Sequence, residues 1–271
     1  MAPQKLILTA AAVALVIVLY LLPKVVVDNE KEATASAIGT STDSEVTESH
    51  QKQLEGDDAV LVASLKEEFN TDLNPEKSAI FADSLAGLFV NLNFLDSAAH
   101  YYGLAADSEP TLMRQVKAGD GYYEAYSFAV EAGKQQELAE GARKYYTLAL
   151  EKDPGLNDVK AKMAMTYLPG QPMQAVMLLR EVVEREPNNE LGLYNLGLLS
   201  LQSQQFDKAV DRFEALTESH PENLEGQFYL GVSYFENGNQ TQAREQFEKV
   251  KEMNTDPEIL VTIDEYLDKL K

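Results

Sequence analysis

The feature that most constrains this chain is a recurrence of period 34, in which small, aromatic and proline residues return at fixed offsets. The segment ELGLYNLGLLSLQSQQFDKAVDRFEALTESHPEN carries Leu196-Gly197, Phe206, Ala209, Phe213 and Pro221, and one period later Leu230-Gly231, Gln240, Ala243 and Phe247 stand in register. Counting back from Pro187 places Ala175, Leu179 and Val182. Counting back from Pro154 places Ala142, Tyr146 and Ala149. The first unit supplies Leu85-Ala86, Phe89, Leu95, Ala98, Tyr102, Ala105 and Pro110. Apolar residues recur at three- and four-residue spacing inside the units, and no alternating strand pattern is sustained. A unit of this length is one helix pair that cannot bury its apolar face alone, so the units must stack.

These markers resemble the tetratricopeptide repeat (TPR) family, a helix-turn-helix with Leu-Gly and an aromatic on its first helix, then Ala, an aromatic, Ala and Pro on and after its second. The resemblance covers residues 79–257 and implies an all-α fold, an α-solenoid of about five units with flanking capping helices. The units fall at about 79–112, 113–155, 156–189, 190–223 and 224–257, followed by a C-terminal cap at 258–271. Ile259, Ile263, Tyr266 and Leu267 make the apolar stripe of that cap, and Val60, Leu61, Leu65 and Phe69 suggest another over 57–69. Gly197, Gly231, Ala98, Ala175, Ala209 and Ala243 allow close helix approach, while Phe213, Phe247, Tyr102 and Tyr146 fill wider gaps. Pro110, Pro154, Pro187 and Pro221 end the second helices.

Three departures stand out. Pro110 and Pro154 are 44 apart, which predicts an insertion or an extended first helix around 117–132, with Gly119-Asp120-Gly121 reading as a turn sequence, like Asn237-Gly238-Asn239. Met163 stands where Gly or Ala is expected, and Thr255 where the closing Pro is expected.

Before the repeats, residues 6–23 (LILTAAAVALVIVLYLLP) form an uncharged run close to the roughly 17 to 25 residues that cross a hydrocarbon core. A single transmembrane anchor at 1–27 is expected. A cleaved signal peptide is the rival reading, but the small-residue triplets Ala33-Thr34-Ala35 and Ala35-Ser36-Ala37 lie far past the apolar run, which also exceeds the roughly 7 to 15 residues of an h-region. A buried core helix would show a polar face, and this run has none. Residues 28–56 read as an acidic flexible linker, rich in Ser, Thr and Ala, with too little apolar content to repay ordering. Lys5 on one side and Lys24 and Lys31 on the other leave the positive-inside count undecided, and the short N-terminal tail favours repeats outside the cytoplasm, in the periplasm.

Composition narrows the chemistry. A net charge of −21, from 44 acids against 23 Lys and Arg, disfavours nucleic acid as a partner. No Cys is present, and His50, His100 and His220 make no ligand-like pair, so neither a metal nor another cofactor is expected. No Walker A loop, Gly-x-Ser-x-Gly elbow or His-Glu-x-x-His motif occurs, and no catalytic residue is assigned. Catalysis would need buried ionisable groups clustered near 117–126. The doublets Tyr101-Tyr102, Tyr122-Tyr123 and Tyr145-Tyr146 read as packing rather than ligand stacks.

The TPR resemblance implies a concave groove lined by positions 2, 5, 9 and 12 of each first helix. In the fourth and fifth units these are Leu191, Tyr194, Leu198 and Leu201, then Glu225, Phe228, Val232 and Phe235. Seven are apolar or aromatic. Apart from Lys160 and Asn195, the basic and amide set of a carboxylate clamp is missing, so a chaperone tail is not the expected ligand. The apolar set either packs on neighbouring helices or forms a groove for an apolar or amphipathic partner segment. The expected function is a membrane-anchored scaffold or adaptor that binds a protein partner in assembly or secretion at the cell envelope. The alternative is a self-associating structural membrane protein, a homo-oligomer whose groove is filled by its own subunit.

Overall fold

The structure is a computed structural model that describes residues 56–71, 74–254 and 256–271. The expected anchor at 1–27 and all of the expected linker except Gly56 lie outside the described residues. Among the described residues no helix is long and apolar enough to cross a membrane. Twelve helices are found there: α1 (Gly56–Phe69), α2 (Pro75–Asn91), α3 (Leu95–Ser108), α4 (Leu112–Phe128), α5 (Ala132–Lys152), α6 (Asn157–Met165), α7 (Pro172–Arg185), α8 (Glu190–Gln202), α9 (Phe206–Ser219), α10 (Leu224–Glu236), α11 (Gln240–Met253) and α12 (Pro257–Lys269). Consecutive helices pack on each other along the array. The all-α solenoid read from the repeat is the observed architecture.

Local chemistry sets the helix ends. The first helices of several units start on a side-chain cap: Asn74, Thr111, Asn189 and Asn223 each accept a backbone N–H three residues on. Two of these asparagines also tie successive first helices together: Asn189, capping α8, donates its Nδ2 to Asp158 of α6 at 2.7 Å, and Asn223, capping α10, donates its Nδ2 to Glu190 of α8 at 2.7 Å. Within units, three tight turns share one geometry. Asn93, Gln204 and Gly238 take φ of 60°, 57° and 79°, and the following N–H bonds a carbonyl five residues back, from Phe94 to Phe89, Gln205 to Ser200 and Asn239 to Tyr234.

The core repeats as the markers repeat. Ala98, Ala142, Ala175, Ala209 and Ala243 are all at most 1% exposed, and Tyr146, Phe213 and Phe247 are fully buried. Gly197 lies under the Phe213 ring and Gly231 under the Phe247 ring, so the aromatic of each second helix occupies the space a Cβ on the first helix would need. Ile263 and Leu267 of α12 close the last unit against Ala243, Phe247 and Val250.

The second and third units differ from the sequence expectation. Gly119-Asp120-Gly121 is not a turn: all three residues lie inside α4, where Gly119 seats the Tyr146 ring and Gly121 the Tyr102 ring. The ten extra residues do not form a separate insertion, and the lengthening is not confined to the first helix. α4 has 17 residues and α5 has 21, against 13 and 14 in α8 and α9, so the chain continues its helical pattern through both. Gly141 in the lengthened α5 makes room for Tyr122. The tip of this pair exposes Phe128 (71%) and Val130 (98%). In contrast α6 has only nine residues, ended ahead of Pro169-Gly170. Met163 sits near the end of α6, against Ala142, Tyr146 and Val159.

Candidate functional site

The apolar groove positions are carried by α8 and α10, the first helices of the last two units, which touch each other directly. Both are capped by asparagine and both start with an acid, Glu190 or Glu225, in the first turn, where it suits the helix dipole. A chain of aromatic contacts crosses from α8 to α12. Tyr194 meets Phe213 at 6.2 Å and Tyr229 at 5.9 Å, Tyr229 meets Phe228 at 5.4 Å, and Phe228 meets Phe247 at 6.1 Å and Tyr266 at 6.2 Å.

Of the seven residues expected to bind a partner, Tyr194 and Phe228 line one cavity of about 320 Å³, together with Leu224, Glu225, Tyr229, Ile259 and Thr262. The other five sit elsewhere. Leu191 packs with the α6, α7 and α8 core beside Leu179 and Val182, and Leu198 and Leu201 pack beside Phe213 and Leu230. Val232 and Phe235 pack against the terminal cluster, where the Tyr266 ring meets Phe235 at 5.3 Å. All five remain half-buried rather than fully enclosed.

Four lining residues, Leu224, Tyr229, Ile259 and Thr262, come from outside the eight expected groove positions. Tyr229 follows Phe228 and is turned toward α8 and α9, stacking on Phe213 at 5.8 Å. Ile259 and Thr262 belong to α12, so the terminal helix is a wall of the cavity as well as a cap. The apolar stripe of α12 was legible in the sequence and includes Ile259, but stripe periodicity does not say which part of α10 it meets.

The polar groups of the cavity are Glu225, Thr262 and the two phenols. Glu225 is exposed. Burial, then the adjacent Glu225 carboxylate, pushes the Tyr194 phenol well above its usual range, so it stays neutral. The two residues that could have suggested a carboxylate clamp are already engaged. Lys160 is buried and paired with Glu181 at 2.7 Å, and Asn195 donates to the Leu191 carbonyl of its own helix at 2.8 Å.

A second cavity of about 420 Å³ lies where the lengthened α4–α5 pair meets the link between α6 and α7, lined by Tyr126, Gln136, Glu140, Arg143, Tyr167 and Gln171 among others. Arg143 is committed there, donating to the Thr166 carbonyl at 2.6 Å and lying over the Tyr167 ring at 4.9 Å. In the neighbouring segment 117–126, Asp120 Oδ1 accepts both the Tyr146 hydroxyl and the Lys162 ammonium, each at 2.8 Å. Lys117 lies 4.9 Å over the Tyr102 ring. These ionisable groups join α4 to its neighbours.

Comparison with known proteins agrees with this geometry. Residues 194–256, covering most of α8 through α11, match the tetratricopeptide repeat family. A tetratricopeptide repeat protein from Parabacteroides merdae has a similar structure, with a TM-score of 0.55 at 16% identity, covering 79% of this chain and 80% of that one. MamA from Desulfovibrio magneticus gives 0.51 at 18% identity over 65% of this chain and 94% of that one. Another MamA structure gives 0.50 at 16% identity over 65% and 92%. A search of curated proteins found no match. The last two units are thus similar to tetratricopeptide repeats in sequence, and the helical body is similar in fold to the solenoids that such repeats build.

Proposed function

We propose that this chain is a membrane-tethered scaffold whose groove between α8, α10 and α12 docks a protein partner, acting in assembly or secretion at the cell envelope with its repeats outside the cytoplasm. The observation that carries the reading is the cavity itself: Tyr194, Phe228 and Tyr229 are left half-buried around about 320 Å³ of open space on a chain of net charge −21. Aromatic side chains held in a recess are where interface energy concentrates. The tether rests on the apolar run at 6–23. Support for a scaffold comes from the repeat fold, which typically serves protein interaction.

The test is crosslinking in native membranes followed by mass spectrometry. The paired change Tyr194→Ala with Phe228→Ala should remove the crosslinked partner while helical content is retained. Because both rings also touch core residues, Thr262→Phe serves as a second variant that plugs the cavity from an exposed position. A partner that survives both changes sinks the groove reading. A particle in detergent that dissociates on dilution, and does so more readily in Thr262→Phe, assigns the groove to a second copy instead. N-terminal sequencing should find the apolar run uncleaved, and protease added to spheroplasts should digest the repeats.

A further inference from the structure

The geometry points to a more specific occupant: the cavity receives a Lys or Arg side chain that the partner presents between apolar residues. This rests on the groove reading above and names the chemistry of the ligand.

Shape is the first support. The Tyr229 ring stands at 72° to Tyr194 and at 74° to Phe228, so the three rings wall a recess instead of forming one flat stack. Electron-rich ring faces attract a cation, and a partly enclosed one more strongly than an exposed one. Charge is the second. Among the described residues, Glu225 is the only charged residue in the lining. Helices α8 and α10 carry the acids Glu190, Glu225 and Glu236 and no Lys or Arg, and the sequence has no Lys or Arg anywhere between Arg212 and Arg244.

The nearest bases beyond that stretch are engaged elsewhere. Arg244 donates to the Leu270 carbonyl, Lys249 to Gln227 at 3.0 Å, and Lys251 to Asp264 at 2.6 Å. The recess therefore offers aromatic walls and a carboxylate with no internal cation among its lining residues. Leu224 and Ile259 supply the apolar contacts that flanking residues of the ligand would meet. Such a site is opposite in polarity to a carboxylate clamp, and it selects a cationic amphipathic segment over an acidic tail.

The experiment uses the full chain in neutral detergent at low ionic strength, with peptides Gly-Ser-Ala-Leu-X-Leu-Ala-Ser-Gly that carry an uncharged fluorophore and are read by anisotropy. X is Lys, Arg, norleucine, Gln or Glu. The Lys and Arg peptides should bind at least about tenfold tighter than the norleucine and Gln peptides, with the Glu peptide weakest. Glu225→Gln should erase that preference. Glu222→Gln, exposed in the turn just before α10 and outside the lining, should leave it unchanged.

Equal binding of the norleucine and Lys peptides overturns the proposal. So does an equal effect of Glu222→Gln and Glu225→Gln, which would trace the preference to diffuse net charge. A chain that is dimeric without peptide and falls to monomer in Glu225→Gln also overturns it, because a second copy would then fill the recess. If Thr262→Phe abolishes partner crosslinking while the peptides show no preference for charge, the cation proposal fails and the groove reading stands. If Thr262→Phe affects neither, both fail.

Discussion

At the scale of single residues, two helical glycines make opposite demands on the chain. A Cβ at Gly231 would lie 2.8 Å from the Phe247 ring, whereas one at Gly87, within α2, would meet nothing within 4 Å. Gly231→Ala should therefore destabilise by about 1 to 3 kcal/mol through overpacking. Gly87→Ala should stabilise by about 0.5 to 1 kcal/mol, because only the entropy of the unfolded chain changes. Urea melts followed by circular dichroism measure both, and equal midpoints for the two variants would refute the seat assigned to Phe247. The same physics explains why Gly119 and Gly121 misled a reading by composition. Two glycines around an aspartate look like a turn, yet here each clears room for a tyrosine from a neighbouring helix. That demand comes from Tyr146 and Tyr102, which are remote in sequence.

Individual elements are set by their turns. Gln204 occupies the left-handed region at φ 57°, at the place where the next unit uses Gly238 at φ 79°. A residue with a Cβ pays about 1 to 2 kcal/mol for that conformation, and glycine gives back about 0.5 to 1 kcal/mol of that in chain entropy. Gln204→Gly should therefore raise stability by about 0.5 to 1 kcal/mol, and Gly238→Gln should lower it by a similar amount, both read as shifts in thermal midpoint. No change in either would mean that the turns relax freely. The terminal helix α12 carries another dependence. Ile263 and Leu267 are buried against Phe247 and Val250, at roughly 1.5 to 3 kcal/mol for each such side chain. Ending the chain before Pro257 should cost several kcal/mol and open the cavity on the Ile259 side, seen as a lower melting temperature and faster proteolysis of α11.

Across the whole molecule, packing by tyrosine has a consequence at high pH. Ten of the thirteen tyrosines have phenols pushed above their usual range, each by burial first, with Tyr146 further raised by the charge of Asp120. A pKa raised on folding means that the folded chain holds its protons more tightly than the unfolded one. The stability is fully present below the unfolded value of about 10 and is lost as pH rises beyond it. The urea midpoint should stay level from neutral pH to about 9 and fall above about 10, where tyrosinate absorbance, which no Trp obscures, should rise. Tyr146→Phe should fall less steeply. A midpoint unchanged at pH values well above 10 would contradict the burial of these phenols.

Sequence alone determined what is local or periodic: helices throughout the body, a spacing of 34 that phases the last two units, prolines that end second helices, and the placing of Tyr194 and Phe228 on first helices. These properties follow from contacts three or four residues apart and from marker residues that recur, so they can be read along one strand of text. Tertiary structure decided which helix faces meet. Only the packing of α12 on α10 covers Phe235 with Tyr266 and brings Ile259 and Thr262 to the cavity that Tyr194 and Phe228 share. Likewise, only packing shows that ten extra residues lengthen α4 and α5 while α6 is cut short. Such contacts join residues some thirty or more positions apart, and the match of side-chain shapes that selects them leaves no periodic trace in the sequence.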